Sequence, residues 1–224
     1  MIDYRNEDCM TGMARYPDKH FDLAIVDPPY GIGASEKNSA DKKQSKKSAT
    51  NSKYYGEQKW DDNVPVEKYF KELFRVSKNQ IIWGANYYPY DFLSGGRIYW
   101  DKRVTMPTYS SGEIAYCSLI NSVKQVTITW HGMIQEDMKN KEVRIHPTQK
   151  PVALYKWLLT NYAKEGDLIL DTHVGSASSL IACYDMGFDA VGFELDEDYY
   201  NESKQRLESF MRQVSIFDLV KESK

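Results

Sequence analysis

The segment from Leu168 to Glu194 is the part of the sequence that most constrains the fold. It begins with the apolar run Leu168-Ile169-Leu170, passes through a turn of small and polar residues, Asp171 to Ser178, and continues as the helical run Ser179 to Tyr184. A second apolar run, Ala190 to Glu194, follows. This pattern predicts two parallel strands joined by a helix, and such a unit is typical of α/β domains with a mostly parallel sheet.

The turn of this βαβ unit is a predicted ligand site. Small residues between a strand and a helix let the backbone approach a nucleotide-like ligand closely. An acidic residue at the end of the second strand typically binds ribose hydroxyls. Asp171, Gly175 and Glu194 therefore form a predicted nucleoside-binding half. An ordinary βαβ crossover with a charged strand end is the alternative interpretation of the same pattern.

A second sharply patterned corner is Asp27-Pro28-Pro29-Tyr30, which directly follows the apolar run Phe21 to Val26. That run predicts a short buried strand, so Asp27 lies at a carboxyl end, where open α/β sheets bind their ligands. The prolines restrict φ and remove backbone donors. Asp27 and the Pro28 carbonyl can each accept one hydrogen of an exocyclic amino group, and Tyr30 can stack on its ring. The alternative is an acidic strand end followed by a proline-rich turn.

A third segment, His146-Pro147-Thr148-Gln149-Lys150-Pro151, precedes the amphipathic run Val152 to Ala163. The corner at 27–30, this segment and the turn at 171–178, in that order, resemble the β-group of DNA amino-methyltransferases. These enzymes use S-adenosylmethionine (SAM) to methylate adenine N6 or cytosine N4, and the permuted motif order is their signature. The resemblance extends from about Tyr4 to about Leu207, with its centre least specific.

The resemblance implies a doubly wound, mostly parallel sheet of the Rossmann-like SAM-dependent methyltransferase fold. It implies that Asp27, Pro28, Pro29 and Tyr30 are catalytic, that the segment at 146–151 encloses the methionine end of SAM, and that the turn at 6–9 lines its adenine. The residues that it implies around SAM are Asp8, Cys9, Asp27, His146, Thr148, Lys150, Asp171, Thr172, Gly175, Ser176, Glu194 and Leu195. Asp8 is equally open to interpretation as the N-cap of a helical turn from Met10 to Tyr16.

The SAM turn departs from the family pattern, which is Asp-Pro-Phe-x-Gly-Ser-Gly-Thr. Here Thr172 and His173 replace Pro and Phe, and Ala177 and Ser178 replace Gly and Thr. Ala177 tolerates positive φ less well than glycine does. Gly175 and Ser176 remain, which predicts that the turn still closes. His173 either lines the SAM pocket or fills the space of the usual Phe.

A basic stretch from 34 to 53 follows the corner at 27–30. Six lysines against Glu36 and Asp41 give it a net charge of +4, which leaves −7 for the rest of a chain whose formal charge is −3. Its Ser/Lys/Asn-rich composition predicts a mobile loop that orders on DNA phosphates, and a solvated low-complexity loop is the alternative. The predicted DNA-binding residues are Lys37, Lys42, Lys43, Lys46, Lys47 and Arg103.

The segment 103–145 lies where β-group enzymes carry target recognition. It contains arginine and lysine, which base-edge readout in the major groove requires. The segment is short, which is compatible with a short target sequence or with a homodimer that shares the duplex.

The remaining patterns fit one methyltransferase domain over 1–224. They predict further helices over 65–77 and 196–214, strands over 80–84 and 97–102, and an antiparallel hairpin of strands 113–119 and 125–130. Cys9, Cys117 and Cys183 are scattered without metal-ligand spacing, which fits buried thiols in a reducing cytoplasm. There is no signal peptide and no apolar run of transmembrane length, so we expect no membrane association.

The predicted function is methyl transfer from SAM to adenine N6 of a base flipped out of double-stranded DNA. Adenine is favoured because, in this family, Asp before Pro-Pro-Tyr accompanies mostly adenine and Ser mostly cytosine. The alternatives are cytosine-N4 methylation, methylation of an amide or an RNA amine, and a DNA-binding module that keeps the fold without binding SAM. Protein-glutamine methyltransferases have Asn in place of Asp27 and lack the permuted order.

Overall fold

The computed structural model describes residues 1–32, 64–105, 110–131 and 133–222. In this part of the chain the strands are β1 (Ile2–Asn6), β2 (Phe21–Val26), β3 (Ser77–Trp83), β4 (Arg97–Asp101), β5 (Gly112–Cys117), β6 (Val123–Thr127), β7 (Trp130–His131), β8 (Ile134–Gln135), β9 (Leu168–Asp171) and β10 (Asp189–Glu194). The α-helices are α1 (Cys9–Met13), α2 (Glu67–Val76), α3 (Val152–Tyr162), α4 (Ser178–Asp185) and α5 (Glu197–Glu222), and a 3-10 turn spans Asp91–Leu93.

The main sheet has the strand order β1-β10-β9-β2-β3-β5-β4-β6, while β7 and β8 form a separate ribbon. Strands β1, β10, β9, β2 and β3 are parallel to one another. Strand β5 runs antiparallel to both of its neighbours, and β6 is parallel to β4. The predicted α/β fold with a mostly parallel, doubly wound sheet is confirmed.

Each face of the sheet is covered by its own hydrophobic core. Along β2, Leu23 and Ile25 point into the core shared with α3 and α4, whereas Ala24 and Val26 point into the core shared with α1 and α2. Because both faces are buried, the strand is a nearly continuous apolar run and not an alternating one. Within the described ranges, no helix combines the length and the apolar character needed to cross a bilayer.

The strand order brings the predicted site residues to one edge of the sheet. Strands β10, β9 and β2 are adjacent and parallel, so their carboxyl ends lie side by side. Glu194 ends β10, Asp171 ends β9, and Asp27 immediately follows β2. This is the edge at which doubly wound sheets bind their ligands.

The predicted hairpin of strands 113–119 and 125–130 is wrong. The strands that form there, β5 and β6, do not pair with each other, because β4 lies between them and pairs with both. The other edge of β5 pairs with β3, where Ile81 lies opposite Cys117. Between β3 and β4, strand β5 has hydrogen-bonded neighbours along both of its edges. The apolar pattern of the predicted helix over 65–77 places Val66 toward the core, and this prediction is wrong, because Val66 is 67% exposed.

Candidate active site

The turn between β9 and α4 is built over a buried carboxylate. Asp171 accepts hydrogen bonds from the backbone N–H of His173, at 3.0 Å, and from the Ser179 hydroxyl. Burial raises the pKa of Asp171 to about 7, even though these hydrogen bonds oppose the rise. Its carboxylate lies beneath the turn and stabilises it from the sheet side, so its role as a direct cofactor contact stays a prediction.

The altered turn closes in the structure. Gly175 has φ of 54° and Ala177 has φ of 61°, both in the left-handed region. This conformation costs an L-residue with a Cβ atom about 1–2 kcal/mol. The Ala177 methyl group is fully buried, and its burial offsets about 0.8 kcal/mol of that cost.

Glu194 connects the turn to the neighbouring strand. Its two carboxylate oxygens accept one backbone N–H each, from Gly175 at 2.8 Å and from Asp196 at 2.9 Å. Burial raises its pKa, and these hydrogen bonds oppose the rise. Each oxygen keeps a lone pair for a further donor, so Glu194 can shape the turn and bind a ligand hydroxyl at the same time.

A cavity of about 510 Å³ opens above the turn. Every residue predicted around the cofactor lines it except Asp171. Asp8 lines the cavity and also caps α1 by accepting from the Thr11 N–H, so its two interpretations are compatible. The sequence reasoning missed further lining residues: Glu7, Gln149, Tyr155, Val174, Asp196 and Tyr199. These are adjacent to the predicted motifs or lie on elements that follow them.

His173 lines the cavity and also packs as an aromatic ring. Its ring meets that of Tyr69 edge-on, with centroids 5.3 Å apart, and its Nδ1 lies 2.9 Å from the Thr172 hydroxyl. Burial lowers the pKa of His173 to about 4, so the imidazole is neutral at pH 7. The residue therefore both fills space and presents a polar ring to the cavity.

The corner after β2 is organised around the Asp27 carboxylate. The Tyr30 hydroxyl lies 2.6 Å from Asp27 Oδ1, and Lys150 Nζ donates to Asp27 Oδ2. The Pro28 carbonyl accepts a hydrogen bond from Tyr88 at 2.9 Å, which leaves one of its lone pairs free for another donor. The Tyr30 ring stacks on Tyr87, with centroids 5.1 Å apart.

Two residues of this corner were missed by the sequence reasoning. Glu113 Oε2 lies 3.0 Å from Lys150 Nζ and 3.1 Å from the Tyr30 hydroxyl, and Lys102 donates to Glu113 Oε1. Glu113 is near the start of β5, and because β5 is antiparallel to β3, that start lies at the carboxyl edge of the parallel strands. No motif in the sequence indicated this.

The charges at the corner change one another's pKa. Burial raises the pKa of Asp27; Lys150 opposes this rise and Glu113 adds to it. Burial also disfavours ionised Glu113, but Lys150 and Lys102 outweigh it and hold its pKa at about 2. Burial opposes charge on Lys150 as well, yet Asp27 and Glu113 raise its pKa above the ordinary value. Lys150 is therefore a charged ammonium between two carboxyl groups.

A second cavity, of about 140 Å³, lies on the other side of Asp27. Tyr30, Tyr87 and Glu113 line it. The wall between it and the larger cavity is shared, since the same four residues line both: Asp27, Pro29, Thr148 and Lys150. A ligand in each cavity would thus contact the same carboxylate.

Gly84 is expected to be essential for the position of Tyr30. It has φ of 74°, and a Cβ atom there would overlap the Tyr30 ring. Gly187 has φ of 77°, and a Cβ atom there would meet no described atom within 4 Å. Gly84→Ala should therefore lower the free energy of unfolding by about 1–3 kcal/mol more than Gly187→Ala does, as measured by urea denaturation. Equal losses in the two variants would contradict this.

Several predicted DNA contacts lie outside the described residues. These are Lys37, Lys42, Lys43, Lys46 and Lys47. Arg103 is described, and its backbone N–H donates to Asp101 at 2.8 Å in a left-handed conformation with φ of 52°. Its contact with DNA stays a prediction.

Comparison with known proteins finds similar sequences and similar folds. Residues 99–205 match the family model described as DNA methylase. The type II methyltransferase M.HpaI of Haemophilus parainfluenzae is 37% identical over 70 residues, which are 31% of this chain and 22% of that protein. The type II methyltransferase M2.DpnII of Streptococcus pneumoniae is 32% identical over 90 residues, 40% of this chain and 33% of that protein. The matches thus span a third or less of these relatives.

Solved structures share the fold over nearly the whole chain. The M1.HpyAVI–SAM complex aligns with a TM-score of 0.57 at 18% identity and covers 92% of this chain and 100% of that one. The PvuII DNA methyltransferase, named as cytosine-N4-specific, aligns with a TM-score of 0.56 at 11% identity. The alignment covers 95% of this chain and 92% of that one. At these low identities, the two structural alignments are evidence for the fold alone. In sequence, the chain is thus similar to DNA methylases over residues 99–205, just under half of its length, and to these two relatives over shorter stretches.

Proposed function

We propose that this protein is a SAM-dependent DNA methyltransferase that methylates adenine N6 in a base flipped out of the double helix. The observation that carries the proposal is the wall shared by the two cavities, in which Asp27 faces both. A methyl donor and an acceptor amino group placed on either side of one carboxylate are held at reacting distance. The match of residues 99–205 to the DNA methylase family model supports the same reaction class.

The larger cavity fits SAM by size and by chemistry. Its volume of about 510 Å³ is within the usual range for small-molecule sites. The acidic side chains that line it are Glu7, Asp8, Asp27, Glu194 and Asp196, against the single lysine Lys150. This excess of carboxylates suits a ligand with a sulfonium and an ammonium group. Glu194 is the residue proposed to hold the ribose hydroxyls, and His146, Thr148, Gln149 and Lys150 line the same cavity.

When bound, SAM supplies a methyl group on a positively charged sulfur. The residues of the chain position the acceptor. Asp27 and the Pro28 carbonyl accept the two hydrogens of the amino group, which turns the nitrogen lone pair away from the ring. Tyr30, stacked on Tyr87 in this structure, offers its aromatic ring to the flipped base. Most of the acceleration then comes from positioning and electrostatics, and no cysteine acts as a nucleophile.

Adenine is proposed as the target because Asp27 precedes Pro-Pro-Tyr. Cytosine N4 is the second candidate, because the PvuII enzyme, which shares the fold, is named as cytosine-N4-specific. Both bases present an amino group next to a ring-nitrogen acceptor, so the same corner can hold either of them.

Double-stranded DNA is the proposed partner, with Arg103 and the lysines of the stretch 34–53 as its phosphate contacts. A single domain over 1–224, a homodimer that shares the duplex and a cytoplasmic location stay predictions. Sedimentation with and without a DNA duplex tests the homodimer.

The function is tested by incubating the protein with mixed-sequence duplex DNA and labelled SAM, followed by mass spectrometry of the nucleosides. We expect N6-methyladenine. N4-methylcytosine would keep the reaction and change the base. SAM binding without any methylated nucleoside would redirect the search to RNA or protein substrates. Absence of SAM binding in a titration would favour a DNA-binding module without catalysis.

A further inference from the structure

Four buried charges form one closed network beside the proposed base cavity. Lys150 Nζ contacts Asp27, Glu113 and the Tyr30 hydroxyl, which accounts for all three hydrogens of the ammonium. Lys102 donates to the other oxygen of Glu113. Two carboxylates and two ammoniums make the network electrically neutral. Its side chains are between 2% and 18% exposed.

The network lies against two buried indole rings. Lys150 Nζ lies 5.5 Å from the centroid of Trp83, and Lys102 Nζ lies 4.8 Å from that of Trp100. Both indoles are buried. Cation–π attraction to these rings favours the observed positions of the ammoniums, and through them those of the carboxylates. Charges held in this way keep their orientation when a substrate arrives.

Resting on the proposed function, we propose that Glu113 is a positioning residue for methyl transfer, which shares the Lys150 ammonium with Asp27 and so keeps the Asp27 carboxylate able to accept the amino hydrogens. Glu113 acts through Lys150 and Tyr30, both of which contact Asp27. Lys102 neutralises the charge of Glu113 from the far side. Without Glu113, the Lys150 ammonium would pair with Asp27 alone.

The titration of Asp27 provides a signature that a merely structural role would not produce. The charged groups around it are Lys150 and Glu113, with Asp171 farther off, and the neighbouring phenols are those of Tyr30, Tyr69 and Tyr155. Removing the negative charge of Glu113 should lower the pKa of Asp27. Removing the positive charge of Lys102 should raise it. The two substitutions therefore shift the pKa in opposite directions.

The experiment compares wild type, Glu113→Gln, Lys102→Gln and the control Glu72→Gln. Glu72 is 22% exposed, close to the 18% of Glu113, and also pairs with a basic side chain, that of Arg75, but it lies on α2 and lines neither cavity. Two quantities are measured: the pKa of Asp27, from the ¹³C carboxyl shifts assigned with Asp27→Asn, and the pH profile of kcat with DNA. SAM affinity and thermal unfolding are recorded for each variant.

We expect Glu113→Gln to lower kcat about tenfold at unchanged SAM affinity, and to move the acidic limb of the profile down by about one pH unit. Lys102→Gln should move the acidic limb to higher pH, and Glu72→Gln should leave the acidic limb where it is in wild type. An unmoved Asp27 pKa in Glu113→Gln would overturn the proposal, and so would a loss of kcat that follows only a loss of folded protein. If wild type methylates no DNA, the proposed function fails, and the carboxyl titration still decides whether Glu113 controls Asp27.

Discussion

Asp27→Asn is expected to abolish methyl transfer to DNA, with a loss of kcat of about a hundredfold or more. Asparagine keeps the size of the side chain but removes the charge and replaces one acceptor oxygen with an amide that donates. In wild type, one carboxylate oxygen accepts from Lys150 and the other is available to an amino group. Asparagine has only one acceptor oxygen, so it cannot serve both donors in this way. SAM affinity should largely survive, since most of the larger cavity is unchanged.

The matched control for this variant is Asp22→Asn. Asp22 lies on the same strand, near its opposite end, and pairs with Lys78. It should keep near-normal kcat. Because Asp27 must be ionised and burial raises its pKa, the wild-type rate should decline as the pH falls through that raised value. Turnover of Asp27→Asn within a few-fold of wild type, measured by nucleoside mass spectrometry, would refute the mechanism.

Glu194→Gln is expected to weaken SAM binding about 10- to 100-fold, measured by calorimetry. Hydrogen bonds to a charged group contribute about 1.5–3 kcal/mol, and about 1.4 kcal/mol corresponds to a factor of ten in affinity. Glu197→Gln is the control, because Glu197 is exposed in the first turn of α5 and its substitution removes the same charge. Its SAM affinity should be that of wild type.

The structure gives Glu194 a second role that must be separated from ribose binding, because its carboxylate also holds Gly175. A SAM analogue without the 2′ and 3′ hydroxyls separates them. If Glu194 binds the ribose, Glu194→Gln and wild type should bind the analogue about equally. Equal losses for SAM and for the analogue would mean that Glu194 acts only by shaping the turn.

Local patterns in the sequence were sufficient for the parts of the site that strand ends create. The apolar runs before Asp27 and Asp171 became β2 and β9, and the residues after them line the larger cavity. Such predictions succeed because burial on both faces imposes a continuous apolar run, and because the turn residues must follow it directly. The order of the motifs along the chain indicated a resemblance to DNA amino-methyltransferases, and residues 99–205 match the DNA methylase family model.

Contacts between segments that are far apart in the chain could not be predicted from the sequence. Lys150 was predicted to enclose the methionine end of SAM, and in the structure it also forms an ion pair with Asp27, 123 residues away. Glu113 carried no signal, and the strand that contains it was assigned to the wrong partner. Its place at the corner depends on the insertion of β5, antiparallel, between β3 and β4.

The sequence by itself thus determined the fold class, the βαβ unit and the residues at the carboxyl ends of β2, β9 and β10. Only the tertiary structure decided that β5 enters the sheet in reverse, which brings Glu113 to the same edge as Asp27 and beside Lys102, which follows β4. The physical reason is that periodicity reports which face of a strand is buried. It carries no information about which strands become neighbours or in which direction they run, and that choice depends on the packing of the whole sheet.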